Sequence, residues 1–153
     1  MNKKKLIREQ LDVSLRRFGP LLNVAAPPKG WIRAIRDALG MSARQLASRL
    51  GVAQQAVARI EKEEPAGSVT MKTMRRVAGC LDCVFVYGFV PRTSLEETVA
   101  RQAAKVAAER IAQASQTMGL ENQALSRREN EQALSDLVDE LTRTLPSNLW
   151  DKS

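Results

Sequence analysis

Between Met41 and Glu64 the chain reads "MSARQLASRLGVAQQAVARIEKEE", two short amphipathic segments meeting at Gly51. Ser42 is placed to cap a helix over Ala43–Leu50, whose Leu46, Ala47 and Leu50 fall on one side. Gly51 ends that helix, Val52 plugs the turn, and a second helix runs from Gln54 to Lys62 with Val57 and Ile60 inward. Two short helices joined by a turn of about three or four residues that contains glycine fit a helix-turn-helix. The inward set then leaves Gln54, Gln55, Ala58, Arg59 and Lys62 facing out. Gln can bond adenine at N6 and N7, and Arg can bond guanine at O6 and N7, so these side chains suit a major groove. A solvated helix surface would account for the glutamines alone. It does not account for the glycine position, the inward pattern and the basic charge together.

Charge points the same way. The formal net charge is +7. Met1–Lys62 holds 13 Lys and Arg against 4 acids, a net +9, and Glu63–Ser153 holds 11 against 13, a net −2. A basic N-terminal part favours a polyanionic partner, because each neutralised phosphate releases condensed counterions. With 153 residues, 44% of them apolar and only six aromatic, the chain is expected to be mainly α-helical with a core of Leu, Val, Ile and Ala. No apolar run approaches the roughly 18 residues of a membrane span, and "MNKKKLIREQLDVSL" lacks the apolar stretch of a signal peptide, so a cytoplasmic location is expected.

Enzymatic chemistry finds no foothold. The chain has no histidine, no Gly-rich phosphate loop and no nucleophile elbow, so no catalytic residue and no cofactor is assigned. Cys80 and Cys83 form "CLDC", but a structural zinc site takes four ligands and no other Cys or His exists. Both read as core thiols, with zinc shared across a dimer as the alternative.

The flanks divide the chain. Residues 1–30 hold a helix over Lys3–Phe18, with Ile7, Leu11, Leu15 and Phe18 on one face, and a connector containing Pro27, Pro28 and Gly30. Lys3, Lys4, Lys5, Arg16 and Arg17 are either a DNA-contacting arm or a solvated face. Residues 31–82 form the DNA-binding unit: a helix burying Trp31, Ile35 and Leu39, the two central helices, and Met71–Leu81 capped by Thr70, with Met74, Val77, Ala78 and Leu81 inward. Its Lys72, Arg75 and Arg76 either touch phosphates or are solvated. Residues 83–93, "CVFVYGFVP" and beyond, look like a short strand. That strand either pairs with its copy in a second subunit or serves as an apolar connector. Residues 94–153 form a helical dimerisation or partner-binding extension. Ser94 caps a long helix that buries Val99, Ala103, Val106, Ala107, Ile111, Ala114 and Met118, and a second helix over about 126–145 carries Leu134, Leu137, Val138, Leu141 and Leu145.

"SARQLASRLGVAQQAVARIEKEE" resembles the phage-repressor and xenobiotic-response-element type of helix-turn-helix, through Leu46, Ala47, Gly51, Val52, Val57, Ile60 and Glu61. That resemblance implies a five-helix unit that binds as a dimer to a near-palindromic operator. It also implies that Gln54, Gln55 and Arg59 contact bases, with Arg44, Arg49 and Lys62 positioning the backbone. Ala43 and Ala53 depart from the pattern, lacking a phosphate-binding Gln and a Ser or Thr cap. Over the whole chain, "RFGPLL", "PPKGWIRAIRDALG", "LDCVFVYGFVP" and "TMGLENQAL" resemble the bacterial mobile mystery protein A group. Membership would imply an antitoxin-like neighbour of a Fic-domain AMP-transferase. Thr117, Glu121 and Asn122 are similar to the Fic inhibitory helix, in which the glutamate occupies an arginine needed for the ATP γ-phosphate. The alternative is a break between the last two helices. The expectation is a sequence-specific, dimeric DNA-binding repressor that autoregulates a toxin-antitoxin-like operon. The other reading is an antitoxin acting mainly by inhibiting a Fic-type partner.

Overall fold

The computed structural model describes residues 2–120 and 126–152, with the backbone alone for 118–120. All its regular elements are helical: α1 (Lys3–Arg16), a 3-10 turn (Gly19–Asn23), α2 (Trp31–Ala38), α3 (Ala43–Leu50), α4 (Gln54–Ala66), α5 (Met71–Cys80), α6 (Leu95–Leu120) and α7 (Arg127–Thr144). They form two compact units, one of Pro20–Gly88 and one of Met1–Gly19 with Phe89–Ser153.

In the Pro20–Gly88 unit, α2 to α5 enclose Ile32, Leu46, Ala47, Leu50, Val57, Val77 and Leu81, with Ile35, Val52, Ile60 and Met74 packed against them. The unit therefore holds four α-helices rather than five. After α5 the backbone turns left-handed at Asp82 (φ 55°), and the following Val and aromatic residues are poor helix formers. The expected strand does not form either. No strand occurs among the described residues, and a single extended run has nothing in its own chain to pair with.

Three burial expectations change. In α2, Ile32 and Arg36 are the buried residues, while Trp31 (42%) and Leu39 (56%) are exposed. The α2 stripe is shifted because its polar members are satisfied internally, as described below. Cys80 is half-buried but Cys83 is exposed, so only the first behaves as a core thiol. Among the described residues no His, Cys, Asp or Glu group is arranged to hold a metal.

In the other unit, α6 and α7 pack through Ala103, Ala107 and Leu141, closed by Leu149. Small residues at Ala103 and Ala107 let the two backbones approach closely. Ala114 is exposed, and the side chain of Met118 lies outside the described residues. The α7 N-terminus carries a full capping box between Ser126 and Glu129. Helix α1 docks on α6 differently from its apolar spacing. Ile7 and Leu11 are exposed, whereas Arg8 is buried against Glu96. Asp12 accepts the N–H groups of Leu95 at 2.7 Å and Glu96 at 3.2 Å. A carboxylate on the orphan donors of a helix N-terminus satisfies hydrogen bonds and favours the dipole.

Candidate nucleic-acid interface

The interface begins with the turn between α3 and α4. Ser42 accepts from the Gln45 N–H at 3.1 Å, and Gln45 Oε1 accepts from the Ser42 N–H at 2.7 Å, a reciprocal cap that starts α3. Gly51 ends α3 at φ 70°, a left-handed conformation that glycine adopts without a Cβ clash. Val52 N–H then donates to Ala47 O at 3.0 Å, which folds the chain back so that its side chain packs on the core. Arg76 Nη2 donates to Leu50 O at 3.1 Å, satisfying a carbonyl at the α3 C-terminus.

Helix α4 starts at Gln54 behind Ala53, which makes no side-chain cap bond. Its residue Val57 is buried and Ile60 half-buried, and Gln54, Gln55, Ala58, Arg59 and Lys62 are exposed. At 3.6 residues per turn those five positions form one stripe. Arg59 is 70% exposed, with only a 3.9 Å approach from Glu63 one turn on. Lys62, Arg44 and Arg49 are exposed as well, and none takes part in an ion pair among the described residues. Pro65 sits in the last turn of α4, so the helix outlasts its sequence pattern by four residues before Gly67 caps it at φ 76°.

Two acids on the inward side of α4 hold its orientation. Glu61 receives both Nε and Nη2 of Arg36, the latter at 3.2 Å, and Arg36 Nη1 donates to Met41 O at 2.8 Å. Both side chains are only 10% exposed. The hydrogen bond to Glu61 raises the Arg36 pKa further above its ordinary value, against the opposing effect of burial. One turn on, the Glu64 carboxylate accepts Trp31 N–H at 2.6 Å and Ile32 N–H at 2.8 Å, capping α2. Gly30, at φ 88°, leaves room for that carboxylate, since a Cβ there would lie 2.9 Å from it.

Sequence reasoning missed Arg36, Glu64 and Gly30. The available signal was charge at inward positions: Arg36 follows Ile32 by four residues, and Glu61 and Glu64 are spaced by three. Of the basic residues considered on α5, Lys72 is exposed and Arg75 stacks 5.8 Å from the Tyr87 ring centre. Lys3, Lys4, Lys5 and Arg16 on α1, and Arg17 just after it, are exposed. Thr117 is on α6, its hydroxyl donating to Gln113 O at 3.1 Å. Glu121 and Asn122 lie outside the described residues.

Residues 32–84 match the family model described as helix-turn-helix. This segment is a helix-turn-helix domain. The match covers α2 to α5, with α3 and α4 as the paired helices, and points to DNA binding and transcription regulation. No curated protein and no solved structure matches the chain. No described helix is long and apolar enough to cross a membrane.

Proposed function

We propose that the chain is a sequence-specific, non-enzymatic repressor that binds a near-palindromic operator as a homodimer, with α4 of each copy in a major groove. The observation that carries this reading is the exposed α4 stripe, Gln54, Gln55 and Arg59, held outward by the inward Glu61 and Glu64. Gln54 and Gln55 read adenines, Arg59 reads a guanine, and Lys62, Arg44 and Arg49 hold phosphates. Two-fold operator symmetry would match two copies of one domain. The resemblance of the whole chain to mobile mystery protein A extends the proposal to autoregulation of a toxin-antitoxin-like operon, with a Fic-type AMP-transferase as partner.

The test is anisotropy titration of the DNA upstream of the chain's own gene beside a scrambled duplex, at two salt concentrations. Tighter binding to the upstream duplex that survives at the higher salt supports specific readout. Equal, salt-collapsing binding to both would reduce α4 to phosphate contacts. Arg59→Ala is expected to cost about 1 to 3 kcal/mol and relax choice at one base pair, while Lys62→Ala weakens binding to every sequence. Equal losses on both duplexes for Arg59→Ala would remove it from base readout. Co-purification of the neighbouring gene's product with the chain tests the partner reading separately.

A further inference from the structure

Residues 83–90, "CVFVYGFV", carry main-chain groups and apolar side chains that the described chain leaves uncovered. The run contains no helix, turn or bend. Phe85 stacks on Tyr87 with ring centres 6.2 Å apart, so alternate residues share a side, as they do on extended backbone. From Val84 to Val90 no N–H or C=O finds a main-chain partner among the described residues. Val84 (86%), Val86 (68%) and Phe89 (80%) are exposed. The run holds no charged residue and no proline, the devices that keep an open strand edge from pairing.

Its sequence reads nearly the same in both directions. About Tyr87, "VFVYGFV" sets Val84 against Val90, Phe85 against Phe89 and Val86 against Gly88, and Asp82 and Arg92 lie beyond at equal separations. Laid antiparallel on a copy of itself about a two-fold axis at Tyr87, the run meets like with like. At each end Asp82 of one copy meets Arg92 of the other, and both residues are exposed. Antiparallel pairs alternate between those that exchange hydrogen bonds and those that do not. With Tyr87 in a non-bonded pair, Val84, Val86, Gly88 and Val90 exchange N–H and C=O groups, while Pro91, which lacks an N–H, falls opposite Cys83 where none is needed. Phe85 and Phe89 then meet at close-approach positions, where aromatic pairs interact favourably.

We infer that residues 83–90 pair antiparallel with the same residues of a second copy of this chain, in a two-stranded ribbon centred on Tyr87. A ribbon of two strands is marginal in water unless it packs on something else. Val84, Phe85 and Val86 share an apolar groove of about 290 Å³ with Trp31 and Ile35 of α2 and Met74 of α5, which supplies that support. A two-fold contact uses the same patch on both copies and closes at two. An unrelated strand could bond the main chain, but only a copy brings the mirrored Val and Phe order and the reciprocal Asp82 and Arg92 charges. The inference rests on the homodimer reading above and adds where the copies meet.

The test is sedimentation velocity of the full chain without DNA over roughly 1 to 100 μM, the range in which a modest interface dissociates. A reversible dimer is expected. Gly88→Pro removes one N–H of the ladder in each copy and is expected to raise the dimer dissociation constant about tenfold or more, with helical circular dichroism unchanged. In a Cys80→Ala, Cys83→Ser background, Tyr87→Cys is expected to form an intermolecular disulfide, since the Cα atoms of a non-bonded pair lie about 4.5 Å apart. Val84→Cys is expected to stay reduced, because the same position of the second copy lies roughly 20 Å along the ribbon. Those two variants decide the register even if Gly88→Pro loses its fold. A parent chain that stays monomeric overturns the inference and the homodimer reading together. A dimer that is unmoved by Gly88→Pro, fails to cross-link through Tyr87→Cys, or cross-links through Val84→Cys as well overturns the inference alone.

Discussion

Replacing Glu61 by Ala is expected to destabilise the helix-turn-helix domain severely. The substitution leaves Arg36, 10% exposed, with Met41 O and the more exposed Asp37 as its remaining partners. Removing one member of a buried ion pair typically costs about 3 to 5 kcal/mol, because the survivor keeps its desolvation penalty without its counter-charge. The Pro20–Gly88 unit has about 70 residues, for which total stability is roughly 3 to 10 kcal/mol. The single loss therefore consumes much of it. Tryptophan placement makes the measurement local, since Trp31 lies in this unit and Trp150 in the other. Urea unfolding of the full chain carrying Trp150→Phe, followed by Trp31 fluorescence, is expected to show the midpoint falling by about 1.5 to 5 M at a slope near 1 to 2 kcal/mol per M. Combining Arg36→Met with Glu61→Leu is expected to recover most of the loss, as apolar replacement of a whole buried pair often does. A cost below about 1 kcal/mol for Glu61→Ala would show that water screens the pair as it does at a surface. The raised Arg36 pKa contributes stability that persists below the ordinary arginine value and is lost only as pH rises through the folded value. No pH effect from this group is therefore expected near neutrality.

Gly30→Ala is expected to lower the same unfolding midpoint, by about 1 to 3 kcal/mol for a backbone of φ 88° and ψ 162° that only glycine adopts readily, plus displacement of Glu64 from the α2 N-terminus. Gly51→Ala, at an αL backbone of φ 70° and ψ 34° that faces open space, is expected to cost less than Gly30→Ala, which combines its glycine-only backbone with the clash against Glu64. Asp12→Ala is expected to remove about 0.5 to 2 kcal/mol of capping at α6, read as faster amide exchange at Leu95 and Glu96; unchanged exchange would mean that Ser94 caps the helix unaided. The hydrogen bond from the Ser126 backbone holds the Glu129 carboxyl below the ordinary 4.5. Its contribution to α7 is present above that value and lost as pH falls through the folded pKa, so helix signal is expected to drop there in the parent and much less in Glu129→Gln.

The helix-turn-helix was legible because it is written in local rules. Ser42 caps, Gly51 permits a left-handed residue, and Leu46, Ala47, Val57 and Ile60 repeat at helical spacing. The α2 and α1 faces were misread because spacing rules treat apolar residues as the buried ones. There, Arg36 and Arg8 are inside, and each is tolerated through a carboxylate from a distant segment, Glu61 or Glu96. Such pairs have sequence separations of 25 and 88 residues, which no window of local periodicity can register. The run after Cys83 forms no strand within the single chain for a related reason. Its Val and aromatic residues favour a strand, but strand formation needs a neighbour, and propensity carries no information about one.

These long-range carboxylates also bear on why α4 presents the face it does. One residue of helix turns the side-chain direction by 100°, so a small roll of α4 would exchange exposed glutamines for buried valine. Apolar contacts from Val57 and Ile60 resist such a roll only through shape, since neighbouring hydrophobic packings differ little in chemistry. Glu61 and Glu64 resist it chemically. They bind α2 at two points one turn apart, one on the Arg36 guanidinium and one on the N–H groups of Trp31 and Ile32. A roll large enough to turn Arg59 inward would break both and leave two carboxylates and an arginine without partners. A buried pair of this kind adds little net stability over an apolar replacement. Its consequence in this domain is orientational: the inward acids fix which residues of α4 remain outside.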